Sequence, residues 1–167
     1  MLIILFTILG AGIKYIDNTF DENKYDEKLA TFIACILGLL MAYTIHLSSE
    51  SATILLSMLI GLLIAKKIDN VAFLLGYIIA VSGSLMLGFD IVIIPFIIFI
   101  FANIIDEFCN DLVDKNNYNI VIESFFKYRF TLKVCVLIAV IFSSLNFLAI
   151  LYILSFDVSY ILIDKFT

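Results

Sequence analysis

Residues Val71 to Ile105 read VAFLLGYIIAVSGSLMLGFDIVIIPFIIFIFANII, and this stretch decides what kind of protein the chain can form. As a single helix it would be about 52 Å long at the helical rise, whereas the hydrocarbon layer of a membrane is about 30 Å thick. Gly88, Phe89 and Asp90, followed by Pro95, favour a break in the middle of it. The stretch therefore predicts two membrane spans joined by a turn.

The composition of the whole chain also indicates a membrane protein. Of its 167 residues, 63% are hydrophobic, against about 45–50% in ordinary soluble domains, so the bilayer must be the solvent for much of the chain. The length predicts a single domain, residues 1–167. A net charge of -5 without a basic stripe excludes a nucleic-acid-binding surface.

The apolar runs predict an all-α integral membrane protein with six transmembrane helices, arranged as three helical hairpins. The predicted spans are Leu2–Ile16, Leu29–Leu47, Ala52–Ile68, Val71–Phe89, Ile91–Ile105 and Val134–Phe156.

The basic residues predict the orientation of these spans, because cytoplasmic loops carry an excess of Lys and Arg. With both termini outside, the inside segments are residues 17–28, 66–70 and 106–133. Nine of the ten bases then lie inside or at the inner ends of spans, and only Lys165 lies outside. The nine are Lys14, Lys24, Lys28, Lys66, Lys67, Lys115, Lys127, Arg129 and Lys133. We expect a multi-pass protein of the cell membrane.

Small residues recur at every fourth position in the even-numbered spans. Residues four apart share one helix face, and small side chains let two helix backbones approach closely. We therefore expect the hairpins to pack through these spans, with span four the most buried. The residues are Ala30, Ala34, Gly38 and Ala42 in span two, Ala72, Gly76, Ala80, Ser84 and Gly88 in span four, and Cys135, Ala139 and Ser143 in span six.

Acidic residues follow each of the odd-numbered spans, most densely in Asn103–Asp114, which reads NIIDEFCNDLVD. Those spans are only about 22–26 Å long at the helical rise, which is shorter than the apolar layer. Their inner ends should therefore converge on a shallow basin at the inner face. The candidate metal ligands there are Asp17, Asp21, Asp69, Asp106, Asp111 and Asp114.

Carboxylate and amide oxygens suit Mg²⁺, which commonly binds substrate phosphates in proteins. The basin therefore predicts a Mg²⁺-dependent site for a lipid phosphate or a prenyl diphosphate, with a membrane lipid as partner. No catalytic residue can be assigned from the sequence.

Two other functions are compatible with the same residues. If Lys14, Lys66 and Lys67 neutralise the acids, the basin is structural, and the protein is a scaffold or binds other membrane subunits. Asp69 and Asn70 have a simpler interpretation as the amino-terminal cap of span four.

A small transporter is the further alternative. It is disfavoured because ion-coupled carriers place ionisable residues near the midplane, and the predicted spans have none there.

Asn110, Asp111 and Asp114 resemble the start of the Asn-Asp-x-x-Asp-x-x-x-Asp signature of UbiA-type intramembrane prenyltransferases. That resemblance implies a Mg²⁺-held prenyl diphosphate. The last Asp of the signature falls on Tyr118, and the chain is shorter than that family's helical bundle. In size and span number the chain is similar to CDP-alcohol phosphotransferases, but it lacks their Asp-Gly-x-x-Ala-Arg signature. We assign it to neither family.

Overall fold

Seven helices make up the ordered elements of the computed structural model, which describes residues 1–22, 24–115 and 129–166 without the side chains of residues 111, 114 and 115. Within these residues there is no strand, so the predicted all-α fold is confirmed. The helices are α1 (Leu2–Glu22), α2 (Glu27–Leu47), α3 (Ser49–Ile64), α4 (Val71–Leu87), α5 (Ile93–Lys115), α6 (Phe130–Ile141) and α7 (Leu148–Phe166).

Three of the helical segments, Leu2–Glu22, Glu27–Leu47 and Ile93–Asn110, are long and apolar enough to cross a membrane. The segments Ser49–Ile64, Val71–Leu87 and Phe130–Ile141 are apolar but shorter. These properties indicate that the protein associates with a membrane.

Polar side chains start three of the helices by satisfying free backbone N–H groups. Asp26 accepts from Lys28 N and Leu29 N at α2, and Ser48 accepts from Ser51 N at α3. Asn70 accepts from Phe73 N at α4. The cap predicted for span four is therefore Asn70, and Asp69 is not needed for it.

The odd-numbered helices run parallel to one another, as two pairs of contacts show. Phe6 stacks on Tyr152 and the backbone at Gly10 meets Phe156, so α1 and α7 run in the same direction. In α3 and α5, Thr53 Oγ1 accepts from Val92 N, and Gly61 lies against Asn103. We call the end of the bundle at which these four helices finish the charged end.

The sixth predicted span, Val134–Phe156, is not one helix. It is divided between α6 and α7 by a reversal at residues 142–147, where Ser143 has a left-handed backbone (φ 56°) and the N–H groups of Ser144 and Leu145 both turn back to Ala139 O. Asn146 then accepts from Leu148 N at the start of α7. Backbone N–H groups of this short stretch are hydrogen-bonded within a turn. The apolar residues on both sides of it made the whole segment look like one continuous span.

The reversal changes where the chain ends. The end of α7 lies beside the end of α1, and Lys14 Nζ is 2.9 Å from Asp164 Oδ1. The two termini therefore lie at opposite ends of the bundle, whereas the sequence predicted both on one side.

Two predicted spans also extend further than expected. The helix predicted to end at Ile16 continues to Glu22, and the helix predicted to end at Ile105 continues to Lys115. Asp17 and Asp106 thus lie within helices, where hydrogen-bond donors from other elements stabilise their carboxylates.

The predicted small-residue contact between spans two and four is present as the α2–α4 packing. A Cβ added at Gly38 would lie 2.6 Å from Gly76 O, and one added at Gly83 would lie 2.8 Å from Ala42 Cβ. The expectation that span four is the most buried helix was wrong, because α3 is buried along most of its length whereas α4 has few buried residues.

The helices form a closed circuit in the order α2, α1, α7, α6, α5 and α3, in which each helix packs on the next and α3 returns to α2. Helix α7 also contacts α3 across the circuit, and α4 packs on α2.

Candidate functional site: a cavity at the charged end

A cavity of about 420 Å³ lies between the helices and extends from the charged end into the bundle. Ligand cavities in proteins commonly measure about 300–1,000 Å³, so this one has room for a small ligand or part of a larger one. Its polar lining contains more acids than bases: the acids are Asp17, Asp21, Asp69, Asp106, Glu107, Asp157 and Asp164, and the bases are Lys14, Lys67 and Arg129.

Four of the candidate metal ligands, Asp17, Asp21, Asp69 and Asp106, line this cavity. The side chains of Asp111 and Asp114, on the last turns of α5, lie outside the described part of the structure. Among the described side chains, no group of three or more His, Cys, Asp or Glu residues is arranged as a set that could hold a metal ion by itself.

Asp106 is buried, with 1% of its surface exposed, and both of its oxygens accept backbone hydrogen bonds. Oδ1 is 3.1 Å from Thr131 N, and Oδ2 is 2.9 Å from Leu132 N. These N–H groups belong to the first turn of α6, whose partial positive charge favours a carboxylate. Asp106 therefore joins α5 to the beginning of α6.

Arg129, which precedes α6, lies among several acids of the cavity. Its Nη2 is 2.7 Å from Glu107 Oε1, and Asp157 and Asp17 are close enough to interact with its charge. Burial opposes the charge on Arg129, but the neighbouring acids, Glu107 above all, outweigh burial and raise the pKa of the guanidinium. The backbone of Arg129 is left-handed (φ 50°), a conformation uncommon for a residue with a side chain.

The Asp17 carboxylate on α1 is hydrogen-bonded to a side chain of α7. The Tyr160 hydroxyl donates to Asp17 Oδ2, and the Lys14 ammonium lies 5.2 Å from the centre of the Tyr160 ring. Lys14 itself pairs with Asp164. This carboxylate is therefore occupied by a donor from a helix far away in the sequence.

A second, partly buried ion pair was missed by the sequence analysis. Lys133 Nζ on α6 is 2.8 Å from Asp157 Oδ2 in the middle of α7. The expectation that the spans carry no ionisable residue near their midplanes did not consider Asp157, because the sixth span was placed too early and Asp157 was assigned to an outside tail. Asp157, Tyr160 and Asp164 have helical spacing that places them on one face, and that spacing was the available signal.

Neutralisation of the acids by Lys14, Lys66 and Lys67 was the condition for the structural alternative, and an ion pair with an acid of the cavity is seen for Lys14. Lys14 pairs with Asp164, and Lys66 is exposed and does not line the cavity. Arg129 and Lys133, which the sequence analysis used only for orientation, pair with the buried Glu107 and the partly buried Asp157.

The mouth of the cavity carries polar groups that are exposed or half-buried. Asp21 and Asp69 are exposed, and Asn110 and Lys67 are partly buried. Asp69 Oδ1 accepts from Asn70 Nδ2 at 3.3 Å. These four side chains are the groups best placed to meet a ligand from outside the bundle.

The inner part of the cavity is apolar. Its walls include Leu37 and Met41 from α2 and Leu55, Met58 and Leu59 from α3. A ligand that fills the cavity must therefore combine a polar end with a hydrocarbon end.

Neither a protein-family model, nor a curated protein, nor a solved structure matches this chain. The chemistry of the cavity therefore carries the functional argument.

Proposed function

We propose that this protein binds the phosphate head of a membrane lipid or a prenyl diphosphate through Mg²⁺ at the mouth of the cavity. The observation that carries the proposal is the joining of a charged mouth to an apolar interior in one cavity. A lipid phosphate has the matching chemistry, because its head requires polar partners and its chain requires apolar ones.

We further propose that the protein is a multi-pass protein of the cell membrane with seven crossings. The amino terminus lies outside and the charged end faces the cytoplasm. The parallel packing of α1 and α7 moves Lys165, the base predicted outside, to the same end as Lys14. All ten bases then belong to the inner side, which strengthens the charge asymmetry that governs orientation.

The ion needs few protein ligands at this site. Mg²⁺ typically keeps several waters and binds one or two carboxylates together with substrate phosphates. Asp21 and Asp69 supply those carboxylates in our proposal, with Asn110 as an amide ligand and Lys67 beside the phosphate. Asp17 and Asp106 have structural roles instead, since Tyr160 and the start of α6 already occupy them. Asp111 and Asp114 remain predicted ligands.

Calorimetric titration of the purified protein tests the head-group site. Geranyl diphosphate and a short-chain phosphatidic acid serve as soluble probes, each with and without Mg²⁺. We expect binding that requires Mg²⁺ and weakens in Asp21→Asn and Asp69→Asn. The matched control is Asp90→Asn, an exposed acid outside the cavity lining, which should bind as the wild type does. Failure of the wild type to bind either probe would contradict the proposal.

A second candidate function is that of a membrane scaffold or a subunit of a membrane complex. It is favoured by the pairing of Asp17, Asp106, Glu107, Asp157 and Asp164 with protein donors. Mass spectrometry of the purified protein distinguishes the two functions. A co-purifying phospholipid or prenyl phosphate supports the binding site, whereas a lipid-free protein that co-purifies with another membrane subunit supports the scaffold.

A further inference from the structure

In the part of the chain that the structure describes, the wall of the cavity has a gap between α3 and α4. Around the cavity, α2 packs on α1, α1 on α7, and α7 on α3, and α2 also packs on both α3 and α4. Residues 49 to 87, all of which the structure describes, include almost no direct contact between α3 and α4, although the two helices follow each other in the chain. Only residues 65–70 connect them, at the charged end.

Both edges of this gap are apolar and line the cavity. Helix α3 contributes Met58, Leu59 and Leu62, and α4 contributes Phe73 and Tyr77. The edges are not sealed against each other, since Leu62, Phe73 and Tyr77 are only half-buried.

The surface outside the gap is apolar as well. Leu63 and Ile64 on α3 are 51% and 54% exposed, and Leu74 and Ile78 on α4 are 48% and 52% exposed. In a membrane protein such a surface faces the lipid chains. The gap therefore connects the apolar part of the cavity with the hydrocarbon layer, and it does so without passing the charged mouth.

We propose that the gap between α3 and α4 is a lateral portal through which one hydrocarbon chain of a bilayer lipid enters the cavity. The proposal rests on the proposed function for the identity of the head group, which stays at the mouth beside Lys67 and Asp69. Residues 65–70 bound the portal at the charged end, so the chain enters from the bilayer side while the polar head remains at the interface.

Tryptophan fluorescence tests whether a chain reaches the cavity, because the protein has no tryptophan of its own. Phe156→Trp places a reporter on the α7 wall, at a side chain that is 2% exposed and lines the cavity. Phe99→Trp is the matched control, since Phe99 is 0% exposed and does not line the cavity. The proteins are reconstituted into phosphatidylcholine vesicles containing phosphatidic acid with brominated chains, and bromine quenches a nearby tryptophan.

We expect loss of fluorescence from the Phe156→Trp protein and none from the Phe99→Trp protein. A second measurement, the amount of brominated lipid retained after extraction into detergent, is made on the protein without a reporter. This lipid retention is therefore independent of whether a tryptophan can be packed into the core without disturbing the fold.

Blocking the gap tests the route. Leu62→Cys, in a background lacking Cys35, Cys109 and Cys135, is modified with a bulky methanethiosulfonate reagent. Leu63→Cys is the control, because the neighbouring Leu63 faces outward and does not line the cavity. We expect modification at position 62 to abolish both quenching and lipid retention and a thiol reductant to restore them, while modification at position 63 changes neither.

The outcomes separate the portal from the head-group site. Equal quenching of the two reporters, or entry of the lipid despite the block at position 62, would overturn the portal even if the soluble probes bind with Mg²⁺. Quenching at position 156 that is abolished by the block but does not depend on Mg²⁺ supports the portal and overturns the Mg²⁺-dependent head-group site.

Discussion

Asp106 illustrates how backbone N–H groups stabilise a buried carboxylate in this protein. Moving one ionised carboxylate out of water costs on the order of several kcal/mol. Two backbone N–H groups of α6 and the partial positive charge of that helix offset part of this cost. Both oxygens of this carboxylate therefore have a structural role at the start of α6.

Asp106→Ala should therefore destabilise the protein by about 2 kcal/mol, the upper range for loss of a helix cap. Asp106→Asn should cost less, because its amide oxygen can still accept one of the two bonds. Thermal unfolding in detergent measures both. The control is Asp90→Ala at an exposed position, and an Asp106→Ala protein as stable as this control would contradict the capping role.

The candidate site residues were predictable in part at this scale. The sequence indicated that acids after the odd-numbered spans would gather at one end, and Asp17, Asp21, Asp69 and Asp106 do line one cavity there. Which of them are occupied could not be predicted, because the donors on α6 and α7 are distant in sequence and become neighbours only through packing.

At the scale of the elements, the α6–α7 hairpin is held by the ion pair of Lys133 and Asp157. Breaking a buried pair leaves one charge unpaired and typically costs about 3–5 kcal/mol, whereas replacing both partners by apolar residues can be nearly neutral.

We therefore expect Lys133→Met alone to destabilise the protein by roughly 2–3 kcal/mol, at the low end of the cost for a buried pair because both side chains are only partly buried, and Lys133→Met with Asp157→Leu to restore most of the loss. Unfolding in detergent of the two single variants and the double variant gives the coupling energy. Additive effects in this cycle would show that the two side chains do not depend on each other.

The α2–α4 contact depends on backbone proximity. A methyl group at Gly38 would approach Gly76 O to 2.6 Å, and one at Gly76 would approach Ala34 O to 3.0 Å. The backbone atoms can yield only if the two helices move apart.

Gly38→Ala and Gly76→Leu should each cost roughly 1–3 kcal/mol, as overpacking of a closely packed contact does. Leu74→Phe is the control, because it enlarges an exposed side chain of α4. If all three variants unfold at the same temperature in detergent, the close approach of α2 and α4 is not needed for stability.

At the scale of the whole molecule, the direction of α7 decides the topology. The Lys14–Asp164 and Phe6–Tyr152 contacts require α7 to run parallel to α1. The chain then ends on the side opposite its first residue.

Accessibility of engineered cysteines to a membrane-impermeant reagent tests this in intact cells. In a background without the native cysteines, Lys24→Cys and Lys165→Cys should be protected from outside, and Ser49→Cys should be labelled. The predicted topology with both termini outside requires position 165 to be labelled, so that position alone distinguishes the two arrangements.

The sequence by itself determined that the protein is helical and apolar enough to belong in a bilayer. Composition and the length of apolar runs are properties of the chain that do not depend on tertiary contacts. It also determined which faces of α2 and α4 could approach each other, since the four-residue spacing of Ala34, Gly38 and Ala42 is a property of one helix.

Only the tertiary structure decided the reversal at residues 142–147, the partners of the buried acids and the gap between α3 and α4. Apolar residues look alike whether they face lipid or protein, so hydropathy cannot separate one long span from a hairpin with a short polar tip. Likewise, a carboxylate's role depends on the donor that reaches it, and Tyr160 reaches Asp17 only because α7 returns along α1.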